Sequence, residues 1–307
     1  MSNVIVFGSI NMDLVVRTPR LPLPGETLLG HDFFTTPGGK GANQAVATAR
    51  LGVPTQIVGR VGQDSYGSEL VNSLKASGVQ TDYIYMDEAA SSGVAVIVVD
   101  ERSENQIIVV PGANGHVDEA DVAQLVSLLP VSALLLQMEI PMQSVLAAAQ
   151  AARTTDVTVI LDPAPAEQGV PEQLYPLVDI ITPNEIEAGQ LVGFPIDGPE
   201  TATRAAAILR QRGVSSVIVK LGAQGALCVT EAETFLVPAF PVLAIDTVAA
   251  GDAFNGGLAA ALFEGLPLRQ AVVWGAAAGA IASTKPGAQS AMCDRQTLMS
   301  FLNDMDM

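Results

Sequence analysis

The stretch Asp246-Thr-Val-Ala-Ala-Gly-Asp-Ala-Phe-Asn-Gly-Gly257 decides how the rest of the chain is read. It follows an apolar, strand-like run from Thr234 to Ile245 and leads into Leu258-Ala-Ala-Ala-Leu-Phe263, a strong helix former. Small residues at such a turn (Ala249, Ala250, Gly251) leave backbone N–H groups uncovered. The first N–H groups of a helix lack internal partners and carry partial positive charge, so the turn is an anion site. Asp252 sets a carboxylate where that anion should bind. On this stretch alone a helix cap is the commoner reason for an Asp. The chemical alternative is a general base beside a phosphate cradle, which is what phosphoryl transfer to a hydroxyl requires.

The chain of 307 residues is long enough for one large α/β domain, or for a core with a small accessory domain. Hydrophobic residues make up 49%, enough for a large core and too many for a disordered chain. The net charge of −17 argues against nucleic acid and anionic membrane as partners. An anionic substrate then needs a local positive pocket, and helix N-termini are its natural supply. Cys228 and Cys293 stand far apart with no Cys-x-x-Cys, which predicts neither a zinc site nor a disulfide framework and suits a reducing cytoplasm. No run of about 18 apolar residues suggests a membrane span. Val4-Ile-Val-Phe7 is only strand length, so a soluble cytoplasmic protein is expected.

Val4–Phe7, Ala133–Met138, Val157–Leu161, Asp179–Thr182 and Ser216–Leu221 read as strands buried on both faces, with helical patterns between them. That alternation predicts an α/β fold with a doubly wound, mainly parallel sheet. Two patches differ. Residues 14–36 are punctuated by Pro and Gly, and residues 82–110 hold three strand candidates, Tyr83–Tyr85, Gly93–Val99 and Gln106–Val110. They suggest a small β lid from residues 11–35 and 81–111, over a main domain of 1–10, 36–80 and 112–307. The alternative is an irregular edge of the main sheet. Pro37-Gly-Gly-Lys-Gly-Ala-Asn-Gln-Ala45 opens the first long helix but fits neither the Walker A loop nor the dinucleotide fingerprint. Polar and acidic residues gather at strand ends (Asp13, Glu139, Asp162, Asn184, Glu187, Gly222, Asp246, Asp252). Strand ends share one rim, so these residues would converge on one cleft.

Five motifs then resemble the ribokinase (PfkB) family of carbohydrate kinases. They are Gly8-Ser-Ile-Asn-Met-Asp13, Gly38-Gly-Lys-Gly-Ala-Asn-Gln44, Asp162-Pro-Ala-Pro-Ala166, Thr182-Pro-Asn-Glu185 and Asp246 to Gly256. The resemblance runs through Gly287-Ala-Gln289. The Gly-Gly-Lys-Gly-Ala-Asn-Gln form, with Gln137-Met-Glu139, is most similar to the ribose-phosphorylating members. The resemblance implies a sheet between helices with a β lid that also forms a homodimer contact. It implies transfer of phosphate from ATP to the 5-hydroxyl of D-ribose, with Asp252 as base and the backbone of Ala249, Ala250 and Gly251 as anion hole. The sugar would be held by Asn11, Asp13, Gly39, Lys40, Gly41, Asn43, Glu139 and Asp252. The nucleotide would meet Asn184, Lys220, Gly222, Gly225 and Gly251. Glu187 would face Mg²⁺ through water. Asp246 with the carbonyls of Val248, Ala282, Lys285 and Gly287 would hold K⁺.

The chain departs from the family's usual pattern at Ser92, Asp162 (commonly Asn), Ala253, Ala276 and Ser290-Ala291. Rival readings are a family kinase for fructose, a keto-deoxy sugar acid or a nucleoside, the last drawing a base pocket from Phe33, Phe34 and Tyr83. A non-catalytic sugar sensor on the same fold has no need of the intact Gly251-Asp252. A Rossmann dehydrogenase is disfavoured by the failed glycine pattern.

Overall fold

A computed structural model describes residues 3–102 and 104–305. Strand β1 (Val4–Phe7) is buried along its whole length. β2 (Asn11–Arg17) and β3 (Asp32–Gly38) leave the main body as an antiparallel pair, and α1 (Lys40–Arg50) returns to it. β4 (Thr55–Gly62), α2 (Ser65–Ala76) and β5 (Gln80–Asp87) follow. β6 (Gly93–Val99) and β7 (Asn105–Val110) rejoin β2. Strand and helix then alternate through α3 (Glu119–Val126), β8 (Ala133–Leu136), α4 (Met142–Arg153) and β9 (Thr158–Leu161). β10 (Ile180–Ile181), α5 (Glu185–Val192), α6 (Pro199–Gln211) and β11 (Ser216–Lys220) continue the pattern. β12 (Ala226–Val229) and β13 (Thr234–Val237) add antiparallel strands. α7 (Ala250–Phe263), α8 (Leu268–Ser283) and α9 (Arg295–Asp304) close the described chain.

The large sheet has nine strands in the order β13-β12-β11-β10-β9-β8-β1-β4-β5, and the small one has four in the order β3-β2-β6-β7. From β1 the chain winds outward through β4 and β5, then crosses back to β8 on the other side of β1. The seam between β1 and β8 is therefore the switch point, where loops diverge and a crevice opens at the strands' carboxyl ends. Side-chain alternation builds two cores. Val4, Val6 and Leu135 face a layer that includes α1, α7 and α8, while Ile5, Phe7, Leu134 and Leu136 face α4 and α6. Such two-sided burial is why these strands are continuous apolar runs.

Two expectations are corrected. Residues 80–87 are not lid. They form the edge strand β5, paired in parallel with β4. Tyr83 packs against one core cluster and Ile84 against the other, so the segment needs cover on both faces, which the lid cannot offer. The strand-like run over Thr234–Ile245 is a strand only from Thr234 to Val237, antiparallel to β12. Pro238 and Pro241 cannot donate to a ladder, and the apolar residues beyond them lie outside it, Leu243 at 84% exposure. A loop, not a strand, therefore delivers the chain to α7. The smaller sheet draws its strands from the two segments read as a lid, and its edge strand β7 exposes Ile107, Ile108, Val109 and Val110 in succession.

Candidate active site

The site is built at the switch point. β1 leads into Gly8-Ser9, and β8 leads into Gln137-Met138-Glu139. Ser9 Oγ donates to Glu139 Oε2 at 2.5 Å, and the Lys40 backbone N–H donates to the same oxygen at 3.2 Å. The start of α1 is thereby tied to the end of β8. Gly39 precedes α1 with φ 88° and ψ 131°. A β-carbon there would stand 2.7 Å from the Asn11 nitrogen. Gly41 is equally tight, its hypothetical β-carbon 2.6 Å from the Ser9 nitrogen. Asp13, on β2, lies over Gly38, where a β-carbon would meet its carboxylate at 2.3 Å. Asn11 is buried and accepts from Asn114 Nδ2 at 2.7 Å.

Asn43 does not cap its helix; it lies inside α1 and donates to Asp252 Oδ2 at 3.0 Å. Gln44, one residue on, donates to Asp252 Oδ1 at 3.1 Å. Asp252 sits in the first turn of α7 and is buried. Ala249 caps that helix with φ 56°, the only positive φ outside glycine among the described residues. This uncommon conformation swings the chain so that α7 points its N-terminus at the cleft. The Ala250 N–H bonds the Thr247 carbonyl at 3.2 Å, while the N–H groups of Ala249, Gly251 and Asp252 make no backbone hydrogen bond among the described residues.

Burial, with Asp162 nearby, pushes the Asp252 carboxyl up to about 6, against the pull of Lys40 and the two amide donors. Asp13 is raised further, to about 7, by burial and then by Glu139 and Asp252. Burial favours neutral Lys40, but the surrounding Asp252, Asp162, Glu139 and Glu187 carboxylates outweigh it and hold the ammonium charged. Lys40, half-buried at the cavity wall, is thus a counter-ion to these carboxylates.

A cavity of about 920 Å³ runs from Lys40 and Asp252 past Lys220, Gly222 and Gly225 to Phe240 and Ala276. Asn184 and Glu187 also line it, locked in a capping box with both bonds at 2.8 Å. That box uses one Glu187 oxygen. The group is raised by burial and by Asp162, so a cation there would relieve it. Lys220 Nζ pairs with Asp162 Oδ1 at 3.0 Å. Asp246 joins two loops, accepting from the Val248 N–H at 3.0 Å and the Gly287 N–H at 2.9 Å. The Ala282 carbonyl accepts from the Lys285 N–H at 3.3 Å. One carboxylate and several backbone carbonyls are hard oxygen donors of the kind a monovalent cation takes. Among the described residues, no three His, Cys, Asp or Glu side chains cluster as a metal site. None of the described helices is long and apolar enough to cross a membrane.

Ser9, Gln44 and Gln137 lie within the quoted motifs, but the sequence reading gives them no role. Gln44 had one available signal: residues 40, 43 and 44 share a helical face, so a helix that presents Lys40 and Asn43 also presents Gln44. His116 bonds Asp87 at 3.0 Å, outside the cleft.

Taken together, the geometry is a buried carboxylate at a helix N-terminus, between a polar cradle and a long cavity. It can accept a proton next to a bound anion. Comparison with known proteins agrees with it. Residues 1–295 match the pfkB family of carbohydrate kinases. The chain is 42% identical to a ribokinase of Haemophilus influenzae over 298 residues, 97% of each chain. It is 39% identical to a ribokinase of Bacillus subtilis over 304 residues, 99% of this chain and 100% of that one. The structure of Arabidopsis thaliana ribokinase complexed with ribose and ATP superposes with a TM-score of 0.91, at 33% identity, covering 98% of this chain and 99% of that one. By sequence over nearly its whole length, and by fold, the chain belongs to the pfkB family of carbohydrate kinases.

Proposed function

We infer that the protein is an ATP-dependent ribose kinase that converts D-ribose and ATP to ribose 5-phosphate and ADP. The observation that carries the reading is Asp252, buried in the first turn of α7 and gripped by Asn43 and Gln44 at the head of the cavity. In this reading the sugar lies in the cradle of Asn11, Asp13, Gly39, Lys40, Gly41, Asn43 and Glu139. Asp252 takes the proton of the 5-hydroxyl as its oxygen bonds the γ-phosphorus and the bridging bond to ADP breaks. The N–H groups at the start of α7 face the charge that builds on the phosphoryl oxygens. The adenine end of ATP fills the cavity toward Ala276 and Phe240. Glu187 would face Mg²⁺ through water, and the ion would supply charge neutralisation on the phosphates. Asp246 with the carbonyls of Val248, Ala282, Lys285 and Gly287 would hold K⁺ and steady the loops flanking the anion hole.

ADP formation in a coupled assay with MgATP tests this directly. The panel is ribose, deoxyribose, fructose, adenosine and 2-keto-3-deoxygluconate, each with and without K⁺. Ribose is expected to give the highest rate, raised by K⁺. A higher rate with another member moves the specificity, and no turnover with any of them refutes the kinase reading.

The lid supports a homodimer. Four successive exposed apolar residues on the unpaired edge strand β7 are an association surface. Ile108→Glu is expected to convert a dimer to a monomer in light scattering, because burying an unpaired carboxylate costs several kcal/mol. A monomeric parent protein at micromolar concentration would refute the contact. The two free, buried cysteines fit a reducing, cytoplasmic setting.

A further inference from the structure

We propose that Gln44 joins the proton-accepting and phosphate-facing halves of the site. Its amide nitrogen donates to Asp252 and Asp162 together, and Asp162 holds the Lys220 ammonium at the N-terminus of α7 to meet the transferring phosphate. This rests on the reading of Asp252 as the base.

The geometry leaves little freedom. Gln44 is 1% exposed and Asp162 3%. Gln44 Nε2 lies 2.9 Å from Asp162 Oδ2 and 3.1 Å from Asp252 Oδ1, so each of its two N–H bonds has a carboxylate. Its Oε1 accepts from Gln137 Nε2 at 2.7 Å, and a flipped amide would set that oxygen against two carboxylates. The second oxygen of Asp162 takes Lys220 at 3.0 Å. Lys220 in turn stands over α7, its Nζ 3.1 Å from where a β-carbon of Gly251 would be. An ammonium and a helix N-terminus repel each other, so this placement needs Asp162 and is completed by an anion between them.

Donor and acceptor arithmetic explains why residue 162 is an acid. Both of its partners are donors. A carboxylate accepts from both, whereas an amide would turn its NH₂ toward either Gln44 or Lys220 and lose that bond. Asp162 and Gln44 are therefore positioning residues, while Lys220 touches phosphate. The charged groups around the pair are Lys40 from α1, Asp13 from β2, Glu139 after β8, Glu187 from α5 and Lys220 from β11.

The test is a double-mutant cycle, Asp162→Asn, Lys220→Met and both together. kcat, KM for MgATP, KM for ribose and the pH profile are measured against the parent protein. Lys220→Met is expected to raise KM for MgATP and lower kcat, together about 10- to 100-fold in kcat/KM. Asp162→Asn alone should do the same with ribose KM little changed. In the Lys220→Met background it should add almost nothing, because the amide can then turn its NH₂ to the vacated side. The acid limb of kcat should move to lower pH in both Asp162→Asn variants, since a negative neighbour of Asp252 is gone. Gln44→Met should move it to higher pH, since a donor to Asp252 is lost. Multiplicative effects of the two substitutions, or an acid limb unmoved in all variants, overturn the proposal. If Gln44→Met does not fold, the Asp162–Lys220 cycle decides alone. A parent protein without ribose-dependent turnover refutes the kinase reading instead, so the two failures are distinct.

Discussion

Asp252→Asn is expected to lower kcat with ribose about 10²–10⁴-fold while ribose still binds. The substitution keeps shape and removes the lone pair that takes the proton. The site around it stays polar, because Asn43 and Gln44 still present their donors at 3.0 and 3.1 Å. One of those donors will face the new NH₂, so ribose affinity falls by no more than about tenfold, the value of one hydrogen bond. The same carboxylate fixes the pH dependence of the parent protein. Raised to about 6 by its burial, Asp252 is ionised above that pH and protonated below it. The rate should therefore fall about tenfold per pH unit on the acid side of 6, and be flat above it. Calorimetric titration with ribose and steady-state turnover from pH 5 to 8 measure both. Turnover retained in the variant would remove Asp252 from the mechanism.

Gly39→Ala is expected to destabilise the protein by roughly 2–6 kcal/mol and to raise the KM for ribose sharply. Residue 39 has φ 88° and ψ 131°, a region open essentially to glycine alone. Space is also lacking, since the added carbon would lie 2.7 Å from the Asn11 nitrogen and 3.0 Å from the Ile10 α-carbon. All of these neighbours are backbone atoms, so no side chain can rotate away. Relief requires α1 to back off from the β1–β2 junction, which carries Lys40 and Asn43 away from Asp13 and Glu139. Differential scanning calorimetry and ribose kinetics check the two parts. A variant with unchanged melting temperature and KM would mean that this junction yields at no cost.

Much of this was legible in the chain, for identifiable reasons. β1, β8, β9 and β11 are apolar on both faces and are readily seen as buried parallel strands. The Asp246–Gly257 stretch announces an acid at a helix start, and α7 begins at Ala250 as that reading requires. Tyr83-Ile-Tyr reads with the small sheet because β6 and β7 follow it closely, and a local pattern does not say which sheet a strand joins. The segment after Val237 misled in the opposite sense. Its Val242, Leu243 and Ile245 look like strand, yet two prolines keep it out of any ladder. The helical face that Gln44 shares with Lys40 and Asn43 points it toward the site, but its role stays illegible until its partners, 118 and 208 residues away, are in place. Which N–H groups at the start of α7 already have a partner also needed the structure, since the turn bond from Ala250 to the Thr247 carbonyl is invisible in the sequence.

The lid's wiring has a consequence for how the chain acquires its shape. β2 lies beside β6 in parallel, Asn11 opposite Gly93, and the chain between them includes α1, β4, α2 and β5. No short connection can bring those two strands together. The small sheet is therefore expected to be completed only after a large part of the main sheet has formed, as for other pairings between distant segments. In time, the cover is a late product of the body it covers. In pulsed hydrogen exchange during refolding, amides of β2 and β6 should gain protection after those of β1 and β4. Equal protection times would mean that the small sheet assembles on its own.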